Sequence, residues 1–378
     1  MDFNIDEIKQ KIEILKEMDK DFEIFGSSKH KYQLHPCKTE KEIQSFEKQH
    51  GISLPADYRS FLLHVGNGGA GPSYGMFKLE DYFDNSYAET NYTVHDNFLS
   101  DNFKFSINAP YTESQYGNED DPEYDPADYF NDTAGSMVIC HHGCGILNIL
   151  IVSGEEKGKI WVDDRCNDNG LSRVSVSFYE WYSKWLDYSI ASLETRNKLT
   201  SELKKSADVF KITNITGLGR ARGFSVSCSG LKEINKIYYY EDSEFLKDGK
   251  KTDLFRVNQE IKAALIIQDS FETKIIKQEV RKEFRQLNKN SPDKNDIKQM
   301  QDNAKTEFTG IITDIIWNSL NYKYYYICYA ASIKKNIFIE SRKDFELETG
   351  SEIYVSGILS FFVLKKYRKK NLFQKLFG

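Results

Sequence analysis

The chain changes character near residue 196. Residues 1–195 carry 34 Asp and Glu against 17 Lys and Arg, whereas residues 196–378 carry 23 against 34. The hydrophobic pattern turns over at the same place. Before it, apolar residues recur mainly at spacings of three and four; beyond it, they gather in short β-branched and aromatic runs. A net charge of -6 describes neither half. Two chemically different bodies are expected, and 378 residues suffice for two or three domains at roughly 100–200 residues each. An acidic half suits a basic partner. A basic half suits nucleic acid, an anionic membrane surface or the acidic half itself.

The apolar share of 40% and the mean hydropathy of -0.57 exclude both a disordered polymer and a membrane-embedded chain. The first residues mix acids and lysines, with no signal-peptide stretch. The longest apolar runs, 146–152 and 358–364, fall short of the ~20 residues a spanning helix needs. Six cysteines without dense spacing are no disulfide scaffold, so a cytoplasmic protein with reduced thiols is expected. Aromatics at 14% predict large aromatic cores.

Residues 5–22 place Ile5, Ile8, Ile12, Leu15 and Met18 along one face of a helix. Thr39 and Glu42 make a capping box that opens a second helix, and Gly51 stops it. Pro55 opens a third, because its missing N–H costs nothing at a helix start; Tyr58, Phe61, Leu62 and Val65 line it up to Gly66. A glycine-rich loop, 66–74, follows. The segment 76–132 is acidic and aromatic, and 117–129 (GNEDDPEYDPADY) has no face that burial would favour, so it reads as an exposed loop. Strands are expected at 137–139, 146–152 and 158–162. Phe178, Trp181, Tyr182, Trp185 and Leu186 then return to helical spacing and close the unit near Leu193, with the tryptophans in its core.

Residues 197–207 read as a charged connecting helix or linker. Beyond them, strands are expected at 210–215, 224–228, 236–240, 262–268, 309–316, 322–330, 336–340 and 353–359. A helical insert is expected at 272–305, amphipathic over 272–288. Residues 253–268 and 344–361 rhyme, each a polar turn feeding a strand, which allows a tandem pair of small β-barrels. The tail 365–378 gathers cations and sets Leu372, Phe373, Leu376 and Phe377 on one helical face, suited to anionic lipid or a protein groove. The fold class is α+β. Its expected parts are a helical extension at 1–34, an α+β domain at 35–195, a β-rich region at 196–364 and the basic tail.

Three motifs invite chemistry. The loop 66–71 has glycines enough to cradle a phosphate, yet it lacks the Lys–Ser/Thr of a phosphate loop and follows a helix, so a structural turn is expected. Residues 217–223 (GLGRARG) precede a strand-like run where a dinucleotide fold needs a helix. Cys140, His141, His142 and Cys144, with Cys166 downstream, offer a thiol and imidazoles. Zinc asks for a second ligand pair that the sequence does not supply, and adjacent histidines in a strand point to opposite faces. Packing is the expected role. Carboxylates at 119–132 lack the spacing of a calcium-binding loop.

Residues 51–75 (GISLPADYRSFLLHVGNGGAGPSYG), 135–145 (GSMVICHHGCG), 151–163 (IVSGEEKGKIWVD) and 177–186 (SFYEWYSKWL) occur in an order that resembles the SUKH superfamily. That superfamily includes bacterial toxin-immunity proteins and a yeast cell-wall-synthesis regulator. The resemblance spans about residues 35–192. It implies a mixed sheet with flanking helices that binds another protein, and in bacterial members a toxin, often a nuclease. Nucleases need basic clefts to hold phosphates, and an acidic domain opposes such a cleft. The expected partner is therefore a protein toxin of the basic nuclease class. The expected contact residues are Glu80, Asp81, Asp84, Asp120, Asp121, Glu123, Asp125 and Asp128, with no catalytic residue, metal or cofactor. The alternative is a multidomain adaptor or regulator whose basic second half binds nucleic acid or a membrane surface.

Overall fold

The computed structural model describes residues 4–83, 96–111, 131–218, 221–227, 237–240, 260–267, 272–275 and 305–366. The chain divides into two compact units, Met1–Leu193 and Glu194–Gly378.

In the first unit, α1 (Ile5–Met18) buries Ile8, Ile12 and Leu15, and Asn4 caps it by accepting from the Glu7 amide. A single turn, α2 (Ser27–His30), leads to α3 (Glu40–His50), where Thr39 and Glu42 form both halves of the capping box and Gly51 ends the helix at φ 64°. Such a cap stabilises by about 1 kcal/mol. Pro55 sits at the N-cap of α4 (Ala56–His64). The acidic and aromatic stretch after it leads to four strands: β1 (Ser136–Gly143), β2 (Ile146–Ile151), β3 (Ile160–Asp164) and β4 (Gly170–Ser175). They pair in chain order, antiparallel throughout. A mixed sheet was expected here; connections of two, eight and five residues are too short for the crossover that a parallel pair needs. The polar strand β4 carries no alternation of its own and forms because β3 offers it an edge.

The helix α5 (Phe178–Lys205) follows. It runs on past Leu193, where the first unit ends, and the charged stretch expected as a connecting helix or linker is helix to Lys205. Its first turns build the aromatic core: Phe178 meets Tyr58 at 5.0 Å and Phe61 at 5.2 Å, and Tyr182 meets Phe61 at 5.0 Å, all edge to face. Trp161 and Trp181 are buried, and Trp185 is half-buried.

The second unit takes in the end of α5 from Glu194, then β5 (Asp208–Leu218), β6 (Ala221–Ser227), β7 (Ile237–Tyr240), β8 (Glu260–Ile267), β9 (Glu272–Ile275), β10 (Lys305–Asn318), β11 (Lys323–Ala330), β12 (Lys335–Ser341) and β13 (Glu352–Lys366). The sheet order is β7-β6-β5-β8-β12-β11-β10-β13-β9, and β8 also pairs with β13. That last pairing closes a five-stranded ring of β8, β12, β11, β10 and β13, with β8 and β12 its one parallel pair among the described strands. Two runs of four strands share one plan: β8 pairs antiparallel with β5, the first of its run, as β13 does with β10. The stretches that rhyme in sequence supply β8 and β13. Because those two strands pair with each other, both runs belong to one sheet.

Alternation along β11 shows what the ring encloses. Tyr326, Cys328 and Ala330 join residues of all four other ring strands in the larger cluster, which is the interior. Tyr325 and Ile327 face outward and pack with Leu199 and Leu203 of α5. The end of that long helix thus covers part of the ring's outer surface.

Two expectations change here. Residues 272–275 are strand β9, hydrogen-bonded to β13, and not the start of a helix: an edge of β13 was open to them. The rest of the expected insert, 276–304, lies outside the described residues. Lys365 and Lys366 end β13 instead of opening a helical tail, because β8 pairs with them; residues 367–378 lie outside the description.

Candidate functional site

The glycine-rich loop is woven into the first unit by its backbone. Gly69 exchanges hydrogen bonds with Met76 (2.9 and 2.7 Å), Ala70 donates to Gln33 (2.7 Å), and Tyr182 donates its hydroxyl to the Ala70 carbonyl (2.8 Å). A Cβ on Gly69 would stand 2.4 Å from the Gln33 carbonyl, and its φ is 102°. Only glycine fits there. The amides that a phosphate cradle would offer are partly spent on the chain itself, as a structural turn requires.

Beside this loop opens a shallow polar cleft of about 470 Å³, lined by His35–Lys38, Glu42, Asn67, Lys78, Glu80 and Asp81. The loop sets Asn67, and the 3₁₀ turn Leu79–Asp81 sets Glu80 and Asp81. Glu80 bonds Lys38 through one carboxylate oxygen and accepts from Asn67 Nδ2 (2.9 Å) through the other. Asn67 Oδ1 in turn accepts from the Leu79 amide (2.9 Å), so one side chain fixes both carboxylate and turn. Burial opposes charge on Glu80, but Lys38 and Asn67 outweigh it and hold the carboxyl below its ordinary range. The bond to Glu80 raises Lys38, with Glu42 also nearby at 3.6 Å. Glu80 is partly neutralised, Asp81 is exposed, and Lys38 and Lys78 make the lining mixed in charge. Of the acidic residues expected to meet a partner, the structure brings Glu80 and Asp81 to this rim. Asp84, Asp120, Asp121, Glu123, Asp125 and Asp128 lie outside the described residues.

The Cys–His run is β1 and its turn. Cys140 is buried, donates to the Pro72 carbonyl at 3.1 Å, and has its thiol pushed up to about 12 by burial. His142 lies between two polar groups: Nε2–H donates to the buried Asn148 Oδ1 (2.6 Å), and in that tautomer Nδ1 accepts from the Ser73 hydroxyl (2.8 Å). His141 turns elsewhere, its ring 5.4 Å from Tyr74. The two histidines do not share a site. Among the described residues, no group of three His, Cys, Asp or Glu side chains is placed to hold a metal ion, and no helix is long and apolar enough to cross a membrane.

A second surface feature escaped the sequence reading. Phe25, 62% exposed, lies against the partly exposed Tyr74 at 5.3 Å, and Tyr74 continues to His141. Aromatics at protein–protein contacts often carry most of the energy. Nothing in the spacing of Phe25, Tyr74 and His141 along the chain announces that they meet.

Residues 38–184 match the model of the SMI1 / KNR4 family (SUKH-1), the region where the sequence resembles the SUKH superfamily. That family includes toxin-immunity proteins, and its members typically bind protein partners. No curated protein matches the chain.

Proposed function

We propose that this chain, with a SUKH-1 domain at residues 38–184, is a non-enzymatic immunity-type protein that binds and neutralises a protein toxin of the basic nuclease class. The observation that carries the reading is the rim of the polar cleft, where Glu80 and Asp81 stand exposed on a half-chain with twice as many acids as bases. In this reading the surface continues through Asp84, Asp120, Asp121, Glu123, Asp125 and Asp128. Opposed charge of this kind raises association rates and makes them salt-dependent. The test adds the purified chain to a basic nuclease toxin encoded beside it. Loss of nuclease activity at one equivalent, with association slowed by salt, is expected. Full nuclease activity at excess chain overturns the reading.

The absence of catalysis is part of the proposal, and Ser73, His142 and Asn148 give it a direct test. A hydroxyl, an imidazole and a carboxamide in line are what a serine nucleophile needs. Here the same bonds tie β1 to the loop before it. A fluorophosphonate probe is expected to leave Ser73 unlabelled; stoichiometric labelling lost in Ser73→Ala would make the protein an enzyme.

One observation favours the second reading, an adaptor whose basic half binds nucleic acid or an anionic membrane. The ring exposes Trp317 and Tyr322 (40% and 67%), with Trp317 4.5 Å from Tyr324, in a half-chain of 34 bases against 23 acids. Single strands stack on such aromatics, and small five-stranded barrels present them. Salt-sensitive binding of a single-stranded oligonucleotide by the full chain, lost in Trp317→Ala, would support it; binding to anionic vesicles alone would assign the membrane instead.

A further inference from the structure

We propose that Cys144 and Cys166 are a redox-modification site, which a peroxide or a small-molecule disulfide converts into a reversible intramolecular disulfide. Two neighbouring strands carry the two cysteines toward each other. Strands β2 and β3 pair Leu150 with Ile160, Ile149 with Trp161, Asn148 with Val162 and Leu147 with Asp163. Beyond those pairs the chain leaves the strands: Cys144 and Gly145 are the β1–β2 turn, and Cys166 is the middle of the 3₁₀ turn Arg165–Asn167, so both turns stand at one end of the β2–β3 pair.

The side-chain geometry brings the two residues into contact. Cys166 Sγ donates to the Cys144 carbonyl oxygen at 3.1 Å, so its sulfur already lies against the residue it would join. Gly145 keeps that approach open: a Cβ there would stand 2.8 Å from Cys166 Sγ. Both thiols are free and exposed, within reach of a dissolved oxidant.

Both turns are braced, so little ordering remains to be done. Gly143 faces Ile146 across a two-residue turn, with Cys144 at φ 49° and Gly145 at φ 78°, the geometry that tight hairpins favour. On the other side, the two Asp164 oxygens accept from Asn167 Nδ2 (2.7 Å) and Asn169 Nδ2 (2.8 Å). Arg165 makes a buried bidentate pair with Asp163, at 2.8 and 2.6 Å. Holding two groups in place raises their effective concentration far above that of free thiols.

The Cys144 sulfur attacks a peroxide oxygen, the O–O bond breaks, and one water leaves with Cys144 as a sulfenic acid. The Cys166 sulfur then attacks the Cys144 sulfur, the S–O bond breaks, a second water leaves and the S–S bond forms. Two electrons from the two sulfurs reduce one peroxide to two waters. With a small-molecule disulfide, Cys144 forms a mixed disulfide as one thiol leaves, and attack by Cys166 forms the S–S bond and releases the second thiol. A dithiol reductant reverses either change. Burial, then the carboxylates of Asp164 and Asp163, push the Cys166 thiol up, and a thiol held protonated is the weaker nucleophile. The product staples the β1–β2 turn to the β3–β4 turn.

The test treats the full chain with hydrogen peroxide or oxidised glutathione, counts thiols after denaturation and maps peptides without reduction. Two of the six thiols should disappear together. A single peptide pair joining Cys144 to Cys166 should appear, and a dithiol should restore both thiols. Cys144→Ser and Cys166→Ser should each abolish the link, while Cys37→Ser should leave it intact. The wild-type map decides the matter whether or not a variant folds. Separate glutathione adducts or sulfinic acids at both positions, or a bridge that uses another cysteine, would overturn the proposal.

Discussion

The two units solve the same packing problem by different means. The first packs aromatic side chains of α4 and α5 edge to face, with Phe61, Phe178 and Tyr182 fully buried, and lays a four-stranded sheet beside them. The second closes five strands into a ring and fills it with alternate residues of each, among them Tyr326, Ile312 and Ile339. Helices bring residues close in sequence into contact, so the first core is partly legible from spacing. The ring depends on β8 meeting β12 and β13 from far along the chain, and pairing at that range leaves no local mark.

Emptying one core should leave the other intact. Phe61→Ala removes a fully buried ring and should cost about 3–5 kcal/mol. Amide exchange read unit by unit should show the loss across the described residues of 4–193, with 305–366 keeping its protection. Equal loss in both would merge the two units into one cooperative body.

The next effect separates the units by pH. Burial lowers the His30 pKa to about 4, against smaller opposing contributions from Asp19 and the Gly71 backbone. The unfolded chain binds this proton below about pH 6.5 and the folded chain only below about 4, so stability falls as the pH drops through that window. The loss should reach on the order of 3 kcal/mol at its lower end. Denaturant titrations at pH 7 and pH 4.5 check it. In His30→Gln the drop between the two should shrink, and an unchanged drop would place its origin elsewhere.

A smaller change sharpens the reading of the Cys–His run. Ser73→Ala removes one partner of His142 and should cost about 1 kcal/mol. His142→Gln and Cys144→Ser should leave toxin binding intact if the variants fold. A binding defect in well-folded variants would move these residues to the interface.

The smallest effect on stability belongs to the cleft rim. Glu80→Gln breaks a half-exposed pair with Lys38 and should change stability by less than about 1 kcal/mol. Its larger signature is kinetic: combined with Asp81→Asn, it should slow association with a basic toxin and flatten its salt dependence. Unchanged rates would confine Glu80 to holding the turn at Leu79.

Much of the local structure was written in short patterns. Thr39 and Glu42 announced their helix start, Pro55 and Gly51 marked the ends around it, and the β-branched runs of the second half mark eight of its strands. These signals are local because caps, turns and alternation act within a few residues. The candidate site was legible only in part: Glu80 and Asp81 stood out by charge, but nothing nearby in sequence told that Lys38 and Asn67 would hold Glu80.

Most element types, the charge division and the glycine positions that a crowded loop demands follow from residues near one another in the chain. Tertiary structure decided the rest. The edge of β3 made a strand of polar Gly170–Ser175, and the open edge of β13 turned Glu272–Ile275 from expected helix into strand. The charged stretch after Leu193 became helix, with Leu199 and Leu203 meeting the outer face of the ring. The physical reason is common to all three. An isolated segment of weak preference is nearly balanced between states, and the hydrogen bonds and apolar area offered by a distant partner tip that balance without leaving any trace in the segment itself.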